Sequence, residues 1–103
     1  MRKASVFVGK QRAGVLLESE PGKDYRFTYD ADYLGPPVSL TMPISTRSYE
    51  FAQFPPFFEG LLPEGVMLDA LLRIKKIDRR DLFAQLIAVG GDMIGNVSVT
   101  ELT

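Results

Sequence analysis

Few residues in this chain could do acid–base chemistry. Glu59, Glu64 and Asp69 stand five positions apart near its centre. A pair of carboxylates works as acid and base when one member has a raised pKa beside a positioned substrate. The sequence supplies neither condition, and helix-start charge and solvated faces account for all three. Histidine, the commonest general base and transition-metal ligand, is absent. Cysteine is absent too, which excludes disulfides and zinc–thiolate sites and fits a reducing compartment. Catalysis would have to run on carboxylates, lysine, tyrosine or hydroxyls alone. Arg73, Lys75, Lys76, Arg79 and Arg80 form the one basic cluster, diluted by Asp78 and Asp81. Such a cluster touches phosphates without reading bases. With a net charge of −1 there is no global pull towards nucleic acid or anionic membrane, so a helix end and a solvated helix start explain it better. The run Gly90-Gly91-Asp92-Met93-Ile94-Gly95 lacks both the G-K-[ST] ending of a P-loop and the GxGxxG spacing of a dinucleotide site. It reads as a structural turn, with Asp92 bonding its own backbone.

The elements that must hold these residues fit one domain spanning residues 1–103, a length able to bury about two-thirds of the unfolded surface. Hydrophobic content of 46% places the chain among globular rather than disordered proteins. The basic start at Met1-Arg2-Lys3 leads into an apolar run broken by Gly9-Lys10-Gln11-Arg12, too short for a signal peptide. No stretch approaches the roughly 18 apolar residues of a membrane span. A soluble cytoplasmic protein is the expectation.

Ser5–Val8 reads as a strand, Gly9–Arg12 as a turn and Ala13–Glu18 as the return strand. Pro21-Gly22 marks a second turn. Tyr25, Phe27 and Tyr29 then alternate with polar residues and predict a third strand with one apolar face. Asp30–Leu34 could form one helical turn before Gly35-Pro36-Pro37, and Val38–Met42 alternates again. Residues 44–56 read as a loop. The second half changes period. Pro63 suits the first turn of a helix, with Glu64 at its positive end. Met67, Leu71 and Ile74, flanked by Leu68 and Leu72, give that helix a wide apolar face. Asp78 can cap a further helix with Leu82, Phe83, Leu86 and Ile87 towards the core, and Gly90 fits its left-handed terminator. Asn96–Thr100 returns to strand. The sum is an α+β fold: a small antiparallel meander, partly closed, with two main helices in the C-terminal half.

Phe54-Pro55-Pro56-Phe57-Phe58-Glu59-Gly60-Leu61-Leu62-Pro63-Glu64-Gly65 packs three phenylalanines, three prolines and two leucines into twelve residues. Two readings stay open. Phe57, Phe58, Leu61 and Leu62 fill the core between sheet and helices, or part of the segment stays out as a partner patch. Prolines reduce the entropy lost on binding, and aromatic anchors supply interface energy.

The segment F-F-x-x-L-L-P-E-G, at Phe57, Phe58, Leu61, Leu62, Pro63, Glu64 and Gly65, resembles the hallmark of the N-terminal subdomain of HipA-type serine/threonine kinases, toxins of toxin–antitoxin systems. Pro37-Val38-Ser39-Leu40-Thr41-Met42-Pro43 resembles that family's P-x-S-L-x-x-P segment, and Phe27-x-Tyr29-x-x-x-Tyr33-Leu34 also fits. Gly90-x-Asp92-x-x-Gly95 is similar to the glycine–aspartate turn that closes the subdomain. The chain departs at Gly91, where a charged residue is expected, and at Asn96, where alanine is.

Kinase catalysis needs a lysine on the phosphates, a catalytic-loop Asp with its Asn, and a metal-binding Asp. None is recognisable, nor is a nucleotide loop, so the chain is expected to be no enzyme and to need no cofactor. The resemblance implies an antitoxin similar to the small HipS-type members of tripartite HipBST-type systems, an expectation to which the ending Glu101-Leu102-Thr103 adds by reading as a natural one. Its implied partner is a shortened HipA-like kinase toxin, HipT, docked by its N-lobe, with a HipB-like helix-turn-helix protein holding operator DNA. The expected partner-binding residues are Phe54, Phe57, Glu64, Val66 and Met67. Leu61, Leu62, Leu71 and Phe83 are assigned to packing. The alternatives are the N-terminal structural subdomain of a full-length HipA kinase and a small nucleic-acid-associated binding module.

Overall fold

In this computed structural model, residues 1–91 and 96–102 are described, together with the backbone but not the side chain of Asp92. Five strands form one antiparallel sheet: β1 (Arg2–Val8), β2 (Gln11–Glu20), β3 (Lys23–Tyr29), β4 (Ser48–Phe51) and β5 (Val97–Leu102), in the order β4-β3-β2-β1-β5. The three strands expected of the first thirty residues are present, and β3 alternates as expected, with Tyr25, Phe27 and Tyr29 buried. Gly9, at a φ of 61°, makes the tight turn between β1 and β2. Cross-strand rows then align the buried face: Ala4, Leu16 and Phe27 in one row, and Arg2, Glu18, Tyr25 and Phe51 in the next.

Three helices follow β4: α1 (Pro56–Glu59), α2 (Gly65–Lys75) and α3 (Leu82–Val89), with a 3-10 turn at Gly90–Asp92. The fold is a single α+β domain. Its core joins the sheet to the helices, with Phe58 tilted against Phe27 at 6.0 Å and Phe83 and Leu86 buried from α3. Leu62 and Phe83 are buried as expected, while Leu61 and Leu71 are half-buried.

Several local expectations fail for identifiable reasons. Asp30–Leu34 is a turn closed by Tyr33 N–H to the Asp30 carbonyl, not helix. Val38–Met42 is no strand. The Tyr29 hydroxyl accepts from Val38 N–H at 2.9 Å and donates to the Met42 carbonyl at 2.5 Å, which gathers the two ends of the segment around one oxygen. Val38 and Met42 are buried there, while Leu40 points out. The free edge of β3 goes instead to β4, inside the stretch read as loop.

Pro63 lies before α2 rather than in it. Gly65, at a φ of 58°, reverses the chain and starts the helix, and Glu64 is its N-cap without a side-chain bond. Asp81, not Asp78, caps α3 and accepts from Ala84 N–H at 3.1 Å. Asp78 accepts from Arg80 N–H at 2.7 Å and so closes the preceding turn. Gly90 ends α3 in ordinary right-handed geometry. Glycine is needed there for another reason: a Cβ would collide with the Val99 carbonyl of β5.

Candidate partner-binding face

The segment from Phe54 to Met67 leaves the sheet edge, makes one helical turn and re-enters as α2. Two prolines set its start: Pro55 is extended and Pro56 occupies the first turn of α1. Leu61 N–H and Leu62 N–H donate to Phe58 and Glu59 carbonyls at 3.1 Å each and carry the turn past Gly60. Phe58 and Leu62 thereby point inward, and the left-handed Gly65 turns Val66 and Met67 away from the body.

Of the five expected contact residues, the structure places four at the surface. Val66 is 82% and Met67 71% exposed, Glu64 is exposed, and Phe57 is half-buried with its ring edge-on to Phe58 at 5.2 Å. Phe54 is the correction. It was expected to stay out, yet it is only 7% exposed and sits edge-to-face on Tyr25 at 5.3 Å. The aromatic row of β3 offered it more burial than solvent could match, so it anchors the segment from below.

Phe57 also lines an apolar hollow of about 300 Å³ with Thr41, Met42, Tyr49, Phe51 and Pro56. Nothing in the sequence signals this hollow, because β4 falls within residues 44–56, which read as a loop. Leu40, beside Thr41, is 93% exposed for a different reason: the alternation of 38–42 places it on one face with Val38 and Met42, and the absence of a strand there breaks that pattern.

The candidate acid–base residues are not brought together. Asp69 is paired with Arg79 at 2.5 Å, and Glu59 and Glu64 are exposed. Among the described residues no group of three His, Cys, Asp or Glu side chains could hold a metal ion. The Asp92 side chain and Met93–Gly95, expected to form the closing turn, lie outside the described residues.

The strongest electrostatic feature supports the fold behind this face. Arg2 donates from Nε to Glu18 at 2.7 Å and from both terminal nitrogens to Asp81 at 3.2 and 2.9 Å. Glu18 is buried and receives further bonds from the Tyr25 hydroxyl at 2.8 Å and Gly22 N–H at 3.2 Å. Burial pushes its carboxyl up, but the bonds from Arg2, Tyr25 and Gly22 outweigh that and hold it below the usual range. Asp81 is likewise lowered, with burial outweighed by Arg2 and Ala84 N–H. The Tyr25 hydroxyl is raised by burial and by the Glu18 carboxylate it donates to. Arg2 also lies over the Phe83 ring at 5.0 Å, so β1, β2 and the start of α3 meet at one guanidinium, with β3 joined through Tyr25 and Glu18.

The basic cluster divides. Arg79 pairs with Asp69 and Arg80 with Asp78, whereas Arg73, Lys75 and Lys76 have no carboxylate within ion-pair distance among the described residues.

Comparison with known proteins supplies the family. The sequence model of the HipA N-terminal domain matches residues 4–100. A Haemophilus influenzae (strain KW20/Rd) protein, described only as uncharacterized, is 33% identical over 101 residues, which is 98% of this chain and 93% of that protein. A solved structure of the N-terminal domain of HipA toxin superposes with a TM-score of 0.77 at 30% identity, covering 100% of this chain and 94% of that one.

Proposed function

This chain belongs to the HipA N-terminal domain family, and from that premise we propose that it is a non-catalytic antitoxin that binds and restrains a HipA-like serine/threonine kinase. In the terms of tripartite HipBST-type systems it takes the HipS role against a HipT kinase, beside a HipB-like helix-turn-helix protein on operator DNA.

One observation carries this reading: Val66 and Met67 stand in solvent at the start of α2, next to exposed Glu64 and half-buried Phe57. Exposed apolar side chains next to a proline-stiffened segment lose less entropy on docking, and methionine and aromatic residues are enriched at interface cores. A second observation supports it. The Haemophilus influenzae relative is matched over 93% of its length, which leaves little room in that protein for a fused kinase. The chain docks on the kinase N-lobe where a fused subdomain would sit. Phe57, Val66 and Met67 fill apolar space, Glu64 faces the nucleotide-loop side, and Phe54 holds the segment from beneath.

Co-expression with the HipA-like kinase of the same genome tests the proposal. Restored growth and co-purification are expected. Undiminished toxicity together with independent migration at micromolar concentration would overturn it.

The match to the N-terminal domain of HipA toxin favours a second reading, a structural subdomain of a full-length kinase. The position of the stop codon in the gene decides between the two.

A further inference from the structure

Helix α2 is apolar around more than half of its circumference, and only part of that arc is covered. Seven of its eleven residues are apolar (Val66, Met67, Leu68, Ala70, Leu71, Leu72 and Ile74), and none is fully buried. Leu68, Ala70, Leu71 and Leu72 are half-buried, and α3 is the element against which α2 chiefly lies. With 3.6 residues per turn, Val66, Ala70 and Ile74 form a second stripe about 12 Å long, and Met67 widens it. Ile74, which the helical period places on the wide apolar face, is 72% exposed. A helix apolar on both sides normally lies between two neighbours. Among the helices and strands this one lies chiefly against α3 alone, and its N-cap Glu64 makes no side-chain capping bond.

The charge at the far end of the stripe specifies what would cover it. Arg73, Lys75 and Lys76 are exposed with no carboxylate in reach among the described residues, because Asp69 is held by Arg79. The helix dipole favours cations at this end but leaves their outward sides free. A second copy of the chain, laid antiparallel, would bring only Glu64 to face these three cations. A partner surface with several carboxylates matches them better.

We propose that the outer face of α2, from Val66 to Ile74, is itself a docking surface, covered by an apolar segment of the kinase that places carboxylates opposite Arg73, Lys75 and Lys76. The proposal rests on the kinase-binding reading above and extends the contact two helical turns beyond its N-terminal edge. The cations steer the encounter, and the stripe supplies the dry contact.

Titration of the full chain against the purified HipA-like kinase of the same genome tests it. Ile74→Asn is expected to weaken binding at least tenfold with little change in the thermal midpoint, because Ile74 is 72% exposed in the free chain. The triple variant Arg73→Gln, Lys75→Gln, Lys76→Gln is expected to weaken binding and to flatten its salt dependence. Hydrogen exchange should show α2 amides through Lys75 gaining protection in the complex. If Val66→Asp abolishes binding while Ile74→Asn and the triple variant bind within twofold of the parent, the outer-face proposal fails and the kinase-binding reading stands. If the kinase does not bind the parent chain, both fail. A dimer of the free chain at tens of micromolar that Ile74→Asn dissolves would assign the stripe to a second copy and overturn the proposal.

Discussion

Arg2 and Asp81, 79 positions apart in the chain, are joined by two parallel hydrogen bonds from the guanidinium to both carboxylate oxygens. The same arginine holds buried Glu18, and the same aspartate caps α3. Strand β1 and the start of α3 are therefore fixed by one group, and the helix layer behind the candidate face is positioned through it.

Removing that group should be costly. Arg2→Met leaves the buried Glu18 carboxylate without its cation and Asp81 without its partner. Breaking a fully buried pair costs about 3–5 kcal/mol. Arg2 is partly solvated, so a loss of about 2–3 kcal/mol is expected, read as a lower urea midpoint.

The same network sets a pH dependence. Glu18 and Asp81 have folded-state pKa values below their ordinary ones, so the unfolded chain binds more protons in acid. Their stabilisation is fully present above the ordinary carboxylate range, near pH 4–5. It is lost as pH falls through the lowered folded-state values. Thermal midpoints should be flat from pH 8 to 6 and fall below about pH 4.5. Arg2→Met should show a shallower acid slope, and an unchanged slope would remove the network from the account.

Tyr29 organises the loop that carries Leu40. Tyr29→Phe deletes one acceptor and one donor, leaving Val38 N–H and the Met42 carbonyl short of partners in a buried setting. A destabilisation of about 1–3 kcal/mol is expected. Amides of residues 38–42 should exchange faster while those of β1 and β2 hold their relative protection.

Two adjacent glycines should respond differently to the same change. A Cβ at Gly90 strikes the Val99 carbonyl, whereas one at Gly91 meets nothing. Gly90→Ala is expected to cost about 1–3 kcal/mol through displaced β5 backbone. Gly91→Ala should stay within about 0.5 kcal/mol of the parent. Urea denaturation of both variants checks the contrast.

At the partner face, stability and binding should separate. Phe58→Ala removes a fully buried ring tilted against Phe27 and should cost about 3–5 kcal/mol. Glu64→Ala and Val66→Ala should leave the melting temperature nearly unchanged and weaken kinase capture. Equal capture by both variants would remove these residues from the face.

Much of the fold was legible in the chain because its cause is local. The alternation of Tyr25, Phe27 and Tyr29, the glycine turns and the helical period after Gly65 follow from backbone geometry within a few residues. The absence of histidine and cysteine, and the order of the family motifs, were likewise fixed by sequence alone. What the tertiary structure decided was which apolar groups find cover. A periodic pattern shows that a helix is apolar, but not which of its faces another element will reach. Ile74 therefore stands in solvent, while Phe54 goes under Tyr25. β4 exists because the edge of β3 was open to it, and Gly90 is required because β5 passes against it from outside the local chain. Contacts between residues distant in sequence set these outcomes, and no short window of residues contains them.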